Sequence, residues 1–159
     1  MEELIASIEK SLDSKNWYAA LAVALILPDI CGKNDNPKKS SSERYKLWFD
    51  TYVKRCYMIQ ESIGSASISG GDCYAIRCAL LHEFSEDLSS HKARQILAKY
   101  KFCSPNANFS YSFKIKESGC EIAIRVDEFC NNICMGVRKW IEESKSKMSE
   151  NQQFVKIHE

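Results

Sequence analysis

The stretch Trp17-Tyr18-Ala19-Ala20-Leu21-Ala22-Val23-Ala24-Leu25-Ile26-Leu27 has no polar side. A helix that is apolar all round must be enclosed on every face, by protein or by lipid. A run of about eleven residues falls well short of the roughly 20 that a membrane span requires, so protein is predicted to enclose it. Pro28 is expected to end the helix, because proline lacks the N–H that the next turn uses. Such a chain folds as helices layered around a buried central one. Its 159 residues, 45% of them hydrophobic, suffice for one domain of this kind.

The flanking segments supply the layers. Leu4, Ile5, Ile8 and Leu12 recur at spacings of three and four between Met1 and Asp13, the stripe of a first amphipathic helix. Gly32 to Ser42 reads as a solvated loop and as the segment most prone to disorder. Ser40 and Glu43 stand at the capping-box spacing, and Tyr45, Trp48, Phe49, Tyr52, Val53, Cys56 and Tyr57 follow at helical intervals, predicting a third helix that reaches Ser62. After the small-residue connection Gly64 to Gly71, Ser69 and Asp72 can cap a fourth, almost wholly apolar helix that runs to Phe84. Between Phe109 and Val126 the period changes to two, with a turn at Glu117-Ser118-Gly119, which predicts a β-hairpin. Asp127 suits the N-cap of a last helix, with Phe129, Cys130, Ile133, Cys134, Val137, Trp140 and Ile141 as its buried stripe to about Lys147. The predicted fold is mainly α, a helical bundle of about five to six helices with one inserted hairpin. One domain over residues 1–148 is followed by a polar tail, 149–159.

Eight cysteines are the odd feature of the composition. A chain with this much apolar residue needs no disulfide framework, and no C-x-x-C pair suggests zinc, so buried free thiols acting as small hydrophobes are expected. Met1-Glu2-Glu3 is acidic where a secretion signal is basic, so a reduced, cytoplasmic setting away from the membrane is expected. The formal charge of +1 excludes a general polycation, so any nucleic-acid contact must come from a local patch. No G-x-x-x-x-G-K-[ST], H-E-x-x-H or G-x-S-x-G pattern occurs, which leaves P-loop, zincin and serine-hydrolase chemistry without an anchor.

The fourth helix carries the chemical anomaly. Arg77 sits among apolar residues, and a guanidinium there is costly unless something pairs with it. Five residues on stands His82, about 140° around an ideal α-helix and about 7.5 Å along it, so the two do not stack directly. A long arginine can nonetheless lean into a space shared with the imidazole. A fixed cation beside a histidine can stabilise a phosphate oxyanion while the histidine moves a proton. In the structural alternative Arg77 pairs with Asp29 or Asp50, and His82 with a backbone carbonyl.

The motif Arg77-Cys78-Ala79-Leu80-Leu81-His82, late in a bundle of helices, resembles the R-x(4–6)-H motif of the HEPN superfamily. The wider context, Trp17 to Gly32 and Ser69 to Phe84, is also similar to a family of small uncharacterised bacterial proteins sharing Y-A-A-L-x-x-A-L-x-L-P-D-I-C-G and R-C-A-L-L-H-E. The resemblance covers residues 1–88 and 127–147, with the hairpin as an elaboration. It implies a metal-independent endoribonuclease of a toxin–antitoxin or defence system, with two copies of the motif meeting across a homodimer. It further implies Arg77 and His82 as catalytic residues, no cofactor, and an antitoxin or regulatory protein as partner. RNA would be cleaved by its own 2′-hydroxyl, leaving a 2′,3′-cyclic phosphate. Asp72, Tyr74 and Glu83 are the expected supporting residues. Active members commonly place a polar residue after the arginine, where this chain has Cys78, and the alternative is a non-catalytic homodimeric interaction or nucleotide-binding module.

From Leu88 to Lys116 the charged side chains are Lys92, Arg94, Lys99, Lys101, Lys114 and Lys116, with no acid among them. Tyr100, Phe102, Phe109 and Tyr111 are interleaved. Phosphate contact plus base stacking is what single-stranded RNA requires, so Lys92, Arg94, Lys99 and Lys101 are the expected RNA contacts. The plainer reading is that alternating lysines guard a hairpin against edge pairing. His91 is expected at an exposed helix start, and the aromatic helix from Tyr45 to Tyr57 is the candidate dimer face.

Overall fold

The computed structural model describes residues 1–61, 64–117 and 119–144. Helices α1 (Glu2–Asp13), α2 (Trp17–Asp35) and α3 (Ser41–Tyr52) lead into a short 3-10 turn, Lys54–Tyr57. A small hairpin follows, β1 (Ile59–Glu61) against β2 (Gly64–Ala66), and then α4 (Gly70–Cys78), which continues as a single π-helical turn, Ala79–Glu83. The chain finishes with β3 (Leu97–Cys103), β4 (Tyr111–Lys116), β5 (Gly119–Arg125) and α5 (Val126–Ser144). The fold is mainly helical with a small three-stranded sheet, and among the described residues no helix is long and apolar enough to cross a membrane.

Helix α2 is the hub that its composition predicts. It touches α1, α3 and α5, and Ala20, Leu21, Ala24, Leu25 and Leu27 are buried. Each such fully enclosed large aliphatic contributes about 1.5–3 kcal/mol. Pro28 does not end it: the helix runs on to Asp35 with Pro28 inside, so the solvated loop shrinks to residues 36–40. The missing backbone bond is offset by what the extra turns anchor. Arg44 donates to Asp29 at 2.7 Å, tying α3 to α2, and the Trp140 indole donates to Asp35 at 3.0 Å, tying α5 to α2.

Helix α3 starts at the predicted capping box, with Ser40 Oγ accepting from the Glu43 N–H at 3.3 Å. It stops at Tyr52, short of the expected Ser62. Beyond it the aromatic period is carried by the 3-10 turn, which delivers the Tyr57 ring to the core while the backbone turns into β1. Tyr45, Trp48 and Phe49 face the domain's own interior, so most of the candidate dimer face is spent on the core.

The hairpin of the sequence reading is present as β4 paired antiparallel with β5, Lys114 opposite Glu121. A third strand, β3, was hidden: it lies parallel to β5 on the other side, giving the order β3-β5-β4. Gly119 opens β5 at φ +121, a conformation comfortable only for glycine, and a side chain there would meet Ala98 Cβ at 3.0 Å. The inner face of the sheet joins the helical core through Phe102 against Phe129 (5.1 Å between ring centres) and Tyr57 against Tyr111 (5.6 Å). Asp127 does not cap α5; it lies inside the first turn and binds Arg125. Ser118, the helix end at Lys147 and the tail from Ser149 lie outside the described residues.

All eight thiols are free, and Cys31, Cys73, Cys120, Cys130 and Cys134 are buried. Burial pushes the Cys73 and Cys130 thiols up to about 12 and Cys134 up to about 11, so they stay protonated and serve as small apolar groups.

One carboxylate ties the start of α4 to the start of β3. Asp72, fully buried, accepts through Oδ2 from Ser69 Oγ (2.6 Å) and Ser69 N (3.3 Å), completing the α4 capping box. Its Oδ1 accepts from the N–H groups of Gln95 (2.7 Å), Ile96 (3.0 Å) and Leu97 (3.0 Å), at the start of β3. Asp72→Ala leaves those buried donors without an acceptor and is expected to cost about 3–5 kcal/mol in urea unfolding followed by tryptophan fluorescence, against about 1–2 for Asp72→Asn.

Candidate active site

Helix α4 is anchored at its N-terminus before it presents any chemistry. Gly70 N–H donates to Asp50 Oδ1 at 2.8 Å. The two glycines allow backbone to pass close by: a Cβ on Gly70 would lie 2.4 Å from the Lys46 carbonyl oxygen, and one on Gly71 at the same 2.4 Å from that of Ala93. Tyr45 and Cys73 meet at 3.4 Å between Oη and Sγ, and the Tyr45 ring meets the edge of Tyr74 with centres 5.3 Å apart. Arg77 is half-buried, with its guanidinium carbon 5.7 Å from the centre of the Tyr74 ring, a cation–π seat on a packed aromatic.

From that seat Arg77 Nη1 lies 3.3 Å from His82 Nε2. Ideal α-helical geometry keeps these positions apart; the π-turn brings them together, because its hydrogen bonds run from i to i+5 and place residues five apart on one side. Phe84 N–H donates to the Ala79 carbonyl in that pattern. An arginine only donates, so in this hydrogen bond His82 Nε2 is the acceptor, which assigns the ring proton to Nδ1. His82 is solvent-exposed.

The structural alternative does not hold for the named acids. Asp29 is bound to Arg44 and Ser41, and Asp50 to Gly70. No carboxylate pairs with Arg77 among the described residues, and its Nε is buried without a partner. Nη1 also lies 4.0 Å from Cys78 Sγ, a weak contact at most. A half-buried cation with unused donors beside an exposed imidazole can take an anion on the one and a proton on the other.

The expected supporting residues divide. Tyr74 is at the site, as the face on which Arg77 rests. Asp72 is not: both oxygens are taken by Ser69 and the start of β3, so its role is architectural. Glu83 turns away from His82 toward His91, with Oε2 3.4 Å from Nε2, a close approach without hydrogen-bond alignment. His91 is therefore a half-buried loop residue and not an exposed helix start.

The expected RNA-contact set also divides, by strand alternation. Lys99 and Lys101 are exposed on the outer face of β3, while Tyr100 and Phe102 project to the inner face, against the core. Lysines and rings therefore do not form one stacking platform. Arg94 is spent on the loop before β3, donating to the Ser89 carbonyl at 3.3 Å and to that of Leu97 at 3.4 Å. Lys92 is exposed in that loop. On the outer face Glu121 binds Lys116 at 2.8 Å, and a shallow depression remains between Lys99, Lys101 and Lys114 over Ala123. Neighbouring lysines, Lys116 foremost, hold the Glu121 carboxyl below its ordinary value.

Sequence reasoning missed Tyr18 and Phe84. Both were placed on buried helical faces, and both are exposed, with ring centres 5.6 Å apart. The signal was faint, since nothing in the local pattern marks where an apolar helix ends in a π-turn.

Comparison of the chain with protein-family models, with curated proteins and with solved structures gives no match. The Arg77–His82 contact sets its own check: in NMR of the imidazole nitrogens, the native protein should show the Nδ1–H tautomer of His82 at neutral pH. Arg77→Met removes the donor and should lower that population while leaving the amide spectrum of α1 and α5 in place.

Proposed function

We propose that this chain is a HEPN-type ribonuclease that cleaves RNA without a metal, working as a cytoplasmic homodimer in a toxin or defence setting under an antitoxin or regulatory protein. The carrying observation is the 3.3 Å contact between Arg77 Nη1 and His82 Nε2 at the end of an apolar helix, with no acid on the arginine among the described residues. Lys99 and Lys101 supply outlying cations for the phosphate chain.

In this reading the scissile phosphate draws the Arg77 guanidinium away from Nε2, replacing a neutral acceptor by an anionic one. Nε2 is thereby freed to take the proton of the RNA 2′-hydroxyl. The 2′-oxygen bonds to phosphorus, the bond to the 5′-oxygen breaks, and that oxygen takes up a proton from water. Arg77 balances the charge that grows on the phosphorane oxygens through the Nη1 donor that has left Nε2. The products are a 2′,3′-cyclic phosphate and a free 5′-hydroxyl, and His82 returns its proton to solvent.

Purified protein incubated with total RNA should generate 2′,3′-cyclic ends. Arg77→Ala and His82→Ala should each lower cleavage by about 100-fold or more with the thermal unfolding midpoint unchanged. Cleavage that persists in both variants would sink the assignment. RNA binding by the native protein that Arg77→Ala weakens, with no cleavage at all, would favour the nucleotide-binding module instead.

A further inference from the structure

The helix that carries Arg77 and His82 ends in an unusual way. Helices that turn left-handed at their C-terminus place glycine or asparagine there, because a bulky side chain is strained. Here the left-handed residue is Phe84, at φ +51. The conformation throws the ring outward, where it is 73% exposed. It meets Tyr18, itself 65% exposed near the start of α2, at 5.6 Å between centres and a 39° tilt. Neither burial nor turn geometry accounts for a phenylalanine at this place. A glycine would relieve the backbone, and an aspartate or asparagine would suit the solvent.

The two rings border a groove of about 200 Å³ floored by Leu21, Leu80, Tyr100 and Phe102. Leu80 lies between Arg77 and His82 in sequence, so the groove and the catalytic pair share one turn of chain. Ser85 and Glu86 bring the polar groups to its rim. Burial, reinforced by Glu86 and Glu83, pushes the Tyr100 hydroxyl up to about 12, so it is a protonated donor at neutral pH.

We infer that this groove is a nucleobase-binding cleft, which holds the base of a nucleotide flanking the phosphate at Arg77, with the base stacked on Tyr18 and Phe84 and its amino group directed to Glu86. The inference rests on the ribonuclease reading for its substrate and deepens it by naming a base subsite. The rings already touch, so the base lies over their exposed faces and not between them. An exposed pair of rings is matched to a flat heteroaromatic ligand, because base–aromatic stacking is worth a large share of single-strand binding. A carboxylate accepts from the exocyclic amino groups of adenine, cytosine or guanine, whereas uracil has none, so bases with an amino group are favoured.

The test uses 2′-O-methyl RNA homotetramers, which lack the attacking hydroxyl and so report binding apart from cleavage, measured by fluorescence anisotropy with the full chain. The native protein should bind the adenine, cytosine or guanine tetramer more tightly than the uracil one. Tyr18→Ala and Phe84→Gly should each weaken that binding about ten-fold, and Glu86→Gln should reduce the preference over uracil. Phe84→Gly is the decisive variant: glycine suits φ +51, so its melting temperature should be no lower than that of the native chain while its affinity falls. Unchanged affinity in Tyr18→Ala and Phe84→Gly, or equal affinity for all four tetramers, overturns the cleft. If cleavage is present and those affinities are unchanged, the cleft fails and the Arg77–His82 reading stands. If ring-dependent binding is present and cleavage is absent, the cleft stands and the nuclease reading fails.

Discussion

The Asp72 carboxylate is the interaction on which the rest of this structure hangs. A buried acid is tolerable only when donors replace its lost hydration, and here every donor is structural: the cap of α4 on one oxygen, the entry to β3 on the other. The charge therefore performs two tasks at once. It starts the helix at Gly70, which sets the angular position of Arg77, and it pins the sheet to that same helix start. The far end of the helix, with His82 and Phe84, inherits its placement from this joint.

Downstream of that joint the second constraint is winding. Over Gly70–Cys78 the helix is α, and over Ala79–Glu83 it widens into a π-turn. An ideal α-helix leaves positions five apart facing different directions, but the wider turn sets them side by side. The same change of pitch that brings Arg77 to His82 sends Phe84 outward into a left-handed conformation. The pair and the exposed ring are thus two consequences of one local departure from α geometry. Tyr74, packed on Tyr45, keeps the arginine from collapsing onto the protein surface.

The sheet shows how one alternating sequence can be read in two ways. Lys99, Tyr100, Lys101 and Phe102 alternate charge with aromatic, a composition that suits a nucleic-acid surface as well as it suits a strand. In β3 the alternation is consumed by geometry, since neighbouring side chains leave the backbone on opposite faces. The rings complete the core with Phe129 and the lysines meet water. Composition cannot separate these outcomes, because both need the same residues in the same order.

Much of the architecture was legible from local chemistry. The apolar run after Asn16 required an enclosed helix, the Ser40–Glu43 and Ser69–Asp72 spacings marked two helix starts, and period-two patterning marked the hairpin. These are near-neighbour effects, and the residues that decide them lie within a few positions. What only the tertiary structure decided involves partners far apart in the chain. Asp29 and Asp35 carry α2 past Pro28 by binding Arg44 and Trp140, Asp72 is diverted from the site by N–H groups more than twenty positions on, and β3 finds β5 across the whole of β4. The residues Arg77 and His82 were readable as a pair. Their contact was not, because it depends on a π-turn held in place by packing, and packing is a property of the folded chain.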